Sequence, residues 1–312
     1  SISRKSLEIV QSSMSQYVIK TPVLKNKEIN SICDSIIFFK CENFQKSGSF
    51  KFRAATNAIL NLNETVKKSG VITHSSGNFA QALALASKNQ HISSYIVMPQ
   101  NAPKFKKNAV LKINDNLIEC KSTLEERENT TREIQNKYNL TFIHPSNNLD
   151  VILGNSTVVS ELIQDHADLD YILCPIGGGG LIAGSALACK AYSNKCEIIG
   201  VEPKNVNDAY KSLKSKKIEY NLKTDTIADG LRTNLGDINF PIILEHIKSI
   251  ICVSEDEIIN AMKLIYNKLN ILIEPSSAVA FAGVLKEKEK FKGKKVGIIL
   301  SGGNVDSKKL PF

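Results

Sequence analysis

Several features that define common protein classes are absent from this 312-residue sequence or scarce in it. It has no tryptophan and only 6% aromatic residues, so it offers few surfaces on which nucleic-acid bases could stack. None of its seven cysteines forms a C-x-x-C pair, and an odd number cannot all pair within one chain. No apolar run approaches the roughly 20 residues that a membrane-spanning helix needs. We therefore expect buried thiols in a reducing compartment, and a soluble cytoplasmic protein without a membrane partner.

The charge balance is basic, because 40 lysines and arginines face 31 acidic residues and leave a net charge of +9. Such a charge is compatible with nucleic-acid binding, so the location of the charges decides whether a nucleic-acid partner is expected. The two densest basic stretches, 104–112 and 211–217, have no interleaved aromatic residues for stacking on bases. We therefore predict surface lysines and no nucleic-acid partner.

Short apolar runs rich in β-branched residues alternate with longer helical stretches along most of the chain, which predicts an α/β fold with mostly parallel sheets. The predicted strands are Ile36–Cys41, Val71–His74, Tyr95–Met98, Tyr171–Ile176, Ile198–Val201, Ile250–Val253 and Val296–Leu300. The predicted helices include Ala80–Lys88, Thr123–Tyr138, Val151–Gln164, Leu181–Ala191 and Glu255–Leu269. The length suggests about two domains.

Four loops carry unusual residues where a strand is expected to end, and ligands bind at the carboxyl ends of parallel strands. Lys51 follows the first strand and opens a helix predicted to begin near Ala54, where the helix dipole and burial would lower the pKa of its amine. The stretch 74–81 turns into a helix through small and hydroxyl residues, which leaves backbone amides free for an anion. A solvated lysine and an ordinary helix cap are the structural alternatives for these two loops.

The other two loops are a run of four glycines, 177–180, and the stretch 301–304 after the last predicted strand. Four consecutive glycines are entropically costly and suit a backbone that approaches a phosphate closely. The run is neither a Walker sequence nor a dinucleotide fingerprint, because no Gly-Lys-Ser/Thr follows and position 182 is isoleucine. A nucleophilic lysine, a phosphate cradle, an anion site and the Ser301 hydroxyl together suit pyridoxal 5′-phosphate.

These loops, in this order, resemble the fold type II pyridoxal-phosphate enzymes, which are tryptophan synthase β-like, and within them the serine racemase and serine/threonine dehydratase family. The resemblance runs nearly end to end, and the stretch 44–51 is especially similar to eukaryotic serine racemases. The further motifs that carry it are Thr21–Leu24, Val201–Pro203, Ala228–Gly230, Ile273–Ala278 and Ser301–Asp306. It implies a large domain, 1–69 and 148–312, interrupted by a small domain, 70–147, that closes over the substrate.

The resemblance also assigns residues. Lys51 and Ser76 would be the catalytic acid/base pair on opposite faces of the substrate, with Lys51 also the covalent anchor of the cofactor. The residues that would bind the cofactor are Phe50, Lys51, Asn78, Gly177, Gly178, Gly179, Gly180, Leu181, Gly230 and Ser301. The residues that would bind the substrate are Ser75, Ser76, Asn78, Phe79, Arg127 and Thr233, with Phe79 standing where relatives often carry histidine.

Two further ligands follow from the resemblance. Glu202, Asp208 and the Val206 carbonyl would form a Mg²⁺ or Ca²⁺ site, since oxygen ligands suit these hard cations. Family members of animals bind ATP as an activator at a homodimer interface. Of that ATP site Lys46, Ser47 and Gln81 are matched here, whereas Ile113 and Ser146 differ, which leaves ATP activation open.

The implied activity is interconversion of L- and D-serine, accompanied by β-elimination of serine to pyruvate and ammonia. The alternatives within the family are L-threonine and L-threo-3-hydroxyaspartate dehydration without racemisation. Outside enzymes, the alternative is a regulator that senses an amino acid, although the presence of both Lys51 and Ser76 argues against it.

Overall fold

The strands form two separate, mostly parallel sheets. A computed structural model describes residues 2–114 and 116–312. The strands are β1 (Val23–Leu24), β2 (Ile36–Cys41), β3 (Val71–His74), β4 (Ser94–Pro99), β5 (Leu117–Cys120), β6 (Thr141–Phe142), β7 (Tyr171–Pro175), β8 (Glu197–Pro203), β9 (Ile250–Val253) and β10 (Lys295–Leu300).

Helices cover both sheets, and no helix within the described residues is both long and apolar enough to cross a membrane. The α-helices are α1 (Arg4–Met14), α2 (Lys27–Cys33), α3 (Lys51–Leu60), α4 (Glu64–Ser69), α5 (Asn78–Asn89), α6 (Lys104–Leu111), α7 (Leu124–Tyr138), α8 (Leu149–Asp165), α9 (Gly180–Tyr192), α10 (Asp208–Ser215), α11 (Asn239–His246), α12 (Glu255–Leu269), α13 (Pro275–Lys286) and α14 (Lys288–Phe291).

The larger sheet has the strand order β1-β2-β10-β7-β8-β9, and only β1 runs antiparallel, against β2. The smaller sheet has the order β5-β4-β3-β6 and is parallel throughout. We call the larger sheet with its helices the six-stranded unit, and residues 71–142, which contain the smaller sheet, the four-stranded unit. The predicted α/β fold class is confirmed. The domain boundaries at 70 and 147 stay a prediction.

The six-stranded sheet is buried on both faces, which explains why its strands read as continuous apolar runs. Successive side chains of a strand point to opposite faces. In β2, Phe39 packs edge-on against Phe281 of α13, with 5.2 Å between ring centroids. Phe38 instead belongs to a second buried cluster that includes Val158 of α8. The core therefore lies in two layers, one on each face of the sheet.

Parallel pairing places the candidate loops together. Strands β2, β10 and β7 are neighbours in the sheet and run in the same direction. The carboxyl ends of β10 and β7 lead directly to Ser301 and to the glycine run 177–180, whereas β2 reaches Lys51 through a connection of nine residues. The helix after β2 begins at Lys51 rather than near Ala54, so this lysine occupies the first position of α3.

Candidate active site

The loops that follow the strands meet around a cavity of about 720 Å³. It is lined by residues from both units, for example Ser76 and Arg127 from the four-stranded unit and Ser301 from the loop after β10. Every residue predicted to bind cofactor or substrate lines it: Phe50, Lys51, Ser75, Ser76, Asn78, Phe79, Arg127, Gly177, Gly178, Gly179, Gly180, Leu181, Gly230, Thr233 and Ser301. The three predicted metal ligands lie outside it.

Lys51 brings an amine to this cavity, and no carboxylate among the described residues forms an ion pair with it. Its Nζ donates a hydrogen bond to the Pro145 carbonyl at 2.8 Å and lies 5.2 Å from the ring centroid of Phe50 and 5.7 Å from that of Phe79. Burial lowers the pKa of Lys51 from 10.5 to about 8. A larger share of this amine is therefore neutral near pH 7 than of an ordinary lysine, which makes it a better nucleophile and base.

The glycine run forms a cradle of free amides at the start of α9. Among the described residues, none of the backbone amides from 177 to 182 has a hydrogen-bond acceptor, and no side chain caps the helix. Gly179 has a φ of +93°, and a Cβ on Gly178 would lie 2.2 Å from Ser146 Oγ. Asn239 fixes the loop from behind, since its Nδ2 donates to the Gly178 carbonyl at 2.8 Å. Free amides and the positive end of a helix dipole suit a phosphate group.

The loop after β3 offers a second set of free amides. The Gly77 amide donates to Ser75 Oγ at 3.1 Å, which closes a tight turn. Within the described chain, the amides of Ser76, Asn78 and Phe79 have no acceptor at the start of α5. This arrangement can bind a carboxylate, and it places the half-buried Ser76 on the cavity wall.

The Asn78 side chain is held by its neighbours. Its Nδ2 donates to Glu274 Oε1 at 2.7 Å, and its Oδ1 accepts from Asn304 Nδ2 at 3.0 Å. Gly230 is also fixed, since its amide donates to Ser276 Oγ at 2.9 Å. Ser301 is buried at the cavity wall, and its carbonyl accepts from the Phe50 amide at 3.0 Å. These contacts hold the cofactor-site candidates in place from the six-stranded unit.

Arg127 places a positive charge in the cavity. No carboxylate among the described residues lies within salt-bridge distance of its half-buried guanidinium. Burial, assisted by the Arg127 charge, lowers the pKa of His74 to about 3, and burial with the charges of Lys51 and Arg127 lowers that of His144 to about 4, so both rings are neutral at pH 7. Thr233 lies at the exposed rim of the cavity. Arg127 is thus a cation available to an acidic ligand.

Two of the predicted metal ligands, Glu202 and Asp208, lie at the end of β8 and at the start of α10, and Val206 lies in the turn between these elements. Glu202 accepts the amides of Ala209 and Tyr210 at 3.3 and 2.6 Å. Asp208 Oδ1 accepts from Asn221 at 2.9 Å, while its buried Oδ2 has no donor among the described residues. Burial raises the pKa of both carboxyls, to about 6 for Asp208, and the Asp208 charge raises that of Glu202 further. The unpaired Oδ2 in this acidic, buried place fits a divalent cation.

Sequence reasoning missed two kinds of supporting residue. His144 Nδ1 accepts the amides of Ser146 and Asn147 at 3.0 and 2.8 Å, so its single proton sits on Nε2. Lys106 forms buried ion pairs with Glu274 and Asp229, each at 3.0 Å. The His-Pro turn at 144 was a visible local signal, whereas nothing local in the sequence pairs Lys106 with residues more than a hundred positions away.

A reactive amine, a phosphate cradle and a buried hydroxyl at the ends of three adjacent parallel strands define an enzyme that uses a phosphorylated carbonyl cofactor. The chain belongs to the family of pyridoxal-phosphate dependent enzymes, whose sequence profile matches residues 14–302.

Similar proteins within this family are known. The chain is 44% identical to the serine racemase of Dictyostelium discoideum over 309 residues, which covers 98% of this chain and 95% of that protein. It is 42% identical to the L-threo-3-hydroxyaspartate ammonia-lyase of Saccharomyces cerevisiae, covering 94% of this chain and 90% of that protein. The maize serine racemase structure superposes with a TM-score of 0.95 at 39% identity, covering 98% of this chain and 94% of that one.

Proposed function

We propose that the protein is a serine racemase that also eliminates water from serine to give pyruvate and ammonia. The observation that carries this proposal is the position of Lys51, an amine with a lowered pKa, in one cavity with the free amides of the glycine loop and with Ser76. The similarity to the serine racemase of Dictyostelium discoideum supports serine as the substrate.

The chain's own residues fit pyridoxal 5′-phosphate. We assign the phosphate to the amides of 177–181, the covalent link to Lys51, and the ring to the space bounded by Phe50, Asn78, Gly230 and Ser301. Bound there, the cofactor supplies an electron sink for the pair left behind when the α-proton of an amino acid is removed.

In this proposal the Lys51 amine removes and returns the α-proton on one side of the substrate. Its lowered pKa leaves enough neutral amine near pH 7 for this task. The hydrogen bond to Pro145 holds the amine at the cavity wall. The free amides of Ser76, Asn78 and Phe79 hold the substrate carboxylate and so fix which bond faces Lys51.

Ser76 provides the second proton carrier, because racemisation requires proton exchange on both faces of the α-carbon. A serine hydroxyl is a weak acid, so it needs a neighbouring anion or hydrogen bond to act as one. Ser301 offers a neutral hydroxyl rather than a carboxylate at the end of β10, so it does not hold a ring nitrogen in its protonated form. With Ser301 in this place, a bound ring would withdraw less charge from the substrate, which would disfavour transamination.

Arg127 favours a second candidate function, dehydration of L-threo-3-hydroxyaspartate. Its guanidinium lines the cavity, has no acidic partner in the part of the chain that the structure describes, and could pair with a second substrate carboxylate. The similarity to the Saccharomyces cerevisiae ammonia-lyase agrees with this candidate. L-Threonine dehydration is the third possibility within the family.

One incubation series separates these functions. The purified protein is given L-serine, D-serine, L-threonine and L-threo-3-hydroxyaspartate in turn, and chiral amino acids and keto acids are measured together. We expect D-serine and pyruvate from L-serine. Oxaloacetate from hydroxyaspartate with no D-serine from L-serine would favour the second candidate.

Replacement of Lys51 tests the cofactor assignment. We expect Lys51→Ala to lose the yellow colour of the bound cofactor and all activity, because no other amine would hold the carbonyl carbon. Lys46→Ala, in the same loop but with its Nζ on the Tyr17 carbonyl, should keep both. A yellow, active Lys51→Ala protein contradicts the assignment.

The remaining assignments are proposals of the same kind. We propose that Glu202, Asp208 and the Val206 carbonyl bind Mg²⁺ or Ca²⁺, that residues 70–147 close over the substrate as a small domain, and that the enzyme is a cytoplasmic homodimer. ATP activation stays open.

A further inference from the structure

Lys106 begins in the four-stranded unit and passes beneath the loop that carries Ser76. It lies in the first turn of α6, which packs on α5. Its side chain is almost fully buried, and a Cβ on Gly77 would lie only 2.2 Å from Lys106 Cδ. The aliphatic part of the lysine therefore occupies the space under Gly77 and supports the turn 75–78 from below.

The ammonium group of Lys106 ends among carboxylates of the six-stranded unit. Its Nζ lies 3.0 Å from Glu274 Oε2 and 3.0 Å from Asp229 Oδ2. Glu274 precedes α13, and Asp229 precedes Gly230 in the loop after α10. Burial alone would lower the pKa of Lys106, but the two carboxylates outweigh it and raise the pKa to about 12. The lysine is therefore charged over the whole physiological range and bridges the two units.

The same cluster reaches the cavity through Asn78. Glu274 uses Oε2 for Lys106 and Oε1 for the Asn78 amide, at 2.7 Å. The loop 75–78 is thus supported at Gly77 by the lysine stem and held at Asn78 by the carboxylate that the lysine neutralises. Without the Lys106 charge, the buried Glu274 and the half-buried Asp229 would be two carboxylates facing each other.

We propose that Lys106 is a positioning residue: it fastens the four-stranded unit to the six-stranded unit and so sets the position of the loop 75–78 in the cavity. What this loop binds rests on the proposed function. We expect Lys106 to hold the two units together in the cofactor-free protein as well as in the cofactor-loaded protein.

The test compares Lys106→Met with Lys106→Arg and with Lys107→Met. Lys107 is the matched control, because it is the next residue of the same helix and pairs with Glu119 inside the four-stranded unit, at 3.1 Å. Hydrogen exchange of the segment 77–83 and the dissociation constant of pyridoxal 5′-phosphate, read from its absorbance, are measured for each protein.

We expect Lys106→Met to raise both the exchange rate and the dissociation constant about tenfold or more, since removing one member of a buried charged cluster is costly. Lys106→Arg should return both to within about threefold of the native protein, because it restores the charge. Equal behaviour of Lys106→Met and Lys107→Met overturns the proposal. If the native protein binds no cofactor, the proposed function fails, while the exchange measurement still decides on Lys106.

A double variant separates positioning from stability. Lys106→Met together with Glu274→Gln removes one charge of each sign, so the unfolding midpoint should rise back toward that of the native protein. We expect fast exchange at 77–83 to persist in it. Recovery of slow exchange would show that Lys106 only neutralises buried charge, and it would overturn the proposal. If Lys106→Met alone does not fold, the exchange of residues 77–83 in the double variant provides the test.

Discussion

At the scale of single residues, Lys51 combines a free amine with a lowered pKa at the wall of the cavity. At pH 8 about half of this amine is neutral, compared with roughly one three-hundredth of an ordinary lysine. We predict that the rate at which cofactor-free protein takes up pyridoxal 5′-phosphate rises with pH, with a midpoint near pH 8. Stopped-flow absorbance measures it. A midpoint near pH 10 would contradict the structure.

The lowered pKa of Lys51 also makes the free energy of unfolding depend on pH. The direction of this dependence follows from the number of protons that the folded and the unfolded protein bind. Because the pKa of Lys51 falls from 10.5 in the unfolded chain to about 8 in the folded protein, the unfolded chain binds more protons between these values. The contribution of Lys51 to the free energy of unfolding therefore rises from pH 8 to pH 10.5 and is lowest below pH 8. Lys51→Met should remove this pH-dependent part in denaturant titrations of the cofactor-free protein.

Ser76 is the residue that should separate the two proposed reactions. We predict that Ser76→Ala loses D-serine formation from L-serine by about a hundredfold, because only one face keeps a proton carrier. Pyruvate formation from L-serine needs Lys51 and should fall less than about tenfold. Ser122→Ala is the control, because Ser122 is an exposed hydroxyl residue of the same cavity to which no role is assigned. Equal loss of both products in Ser76→Ala would refute the two-carrier mechanism.

At the scale of elements, the glycine loop depends on backbone geometry that a side chain would disturb. Gly179, with φ at +93°, precedes α9, and its Cβ would lie 2.7 Å from Leu235 Cδ2. We predict that Gly179→Ala destabilises the protein by about 1–3 kcal/mol and weakens cofactor binding about tenfold or more. Because we assign the glycine loop to the phosphate group, Gly179→Ala should weaken the binding of pyridoxal 5′-phosphate more than the binding of pyridoxal, which has no phosphate.

Gly293 provides the matched control for this prediction. It has a φ of +73°, but a Cβ there would meet no atom within 4 Å. Gly293→Ala should therefore cost only about 1 kcal/mol from the backbone and leave both ligand affinities unchanged. The affinity of both variants for the cofactor is measured by fluorescence titration. A similar decrease in affinity in Gly179→Ala and Gly293→Ala would mean that the loop does not bind phosphate.

Elements with a strong local pattern could be predicted from the sequence, and those made by tertiary contacts could not. Strands β2, β3 and β9 and helix α12 have the predicted bounds, because apolar runs and a capping box at Ser254 define them locally. The strands β1 and β6, of two residues each, and the partly exposed β5 were not predicted. Such short pairings form because a neighbouring strand is present rather than through their own composition.

The residues of the candidate site likewise fall into those that the sequence indicates and those that only tertiary contacts reveal. Lys51 and the glycine run stand out in the sequence because their residue types are unusual where they occur. The support for Asn78 comes from Glu274, 196 positions away, and that carboxylate is paired with Lys106, 168 positions away from it. Nothing in the neighbourhood of any of these residues indicates the others, so only the folded chain reveals the cluster.

At the scale of the whole molecule, Glu202 and Asp208 link β8 to α10, and the cation that we propose for this place would make the stability of the protein depend on its binding. We predict that removing metal with EDTA lowers the unfolding midpoint and that Mg²⁺ or Ca²⁺ restores it. A cation at a hundred times its dissociation constant contributes about 2.7 kcal/mol. Differential scanning fluorimetry measures the shift.

Two variants identify the ligands in that experiment. Asp208→Asn should abolish the cation-dependent shift, because it removes the negative charge of the carboxyl group to which the unpaired Oδ2 belongs. Asp225→Asn, an exposed acid nearby in the chain, should keep it. A shift that survives in Asp208→Asn would place the cation elsewhere.

The central position of β10 bears on when the enzyme can first become active in a cell. This strand lies between β2 and β7, and residues 301 and 304 behind it reach the cavity wall and Asn78. A ribosome-bound chain that lacks residues 295–304 therefore holds Lys51 and the glycine run on strands with an unfilled gap between them. Cofactor capture has to wait until β10, the last of these strands in chain order, has been synthesised, so the supply of cofactor cannot guide the earlier steps of folding.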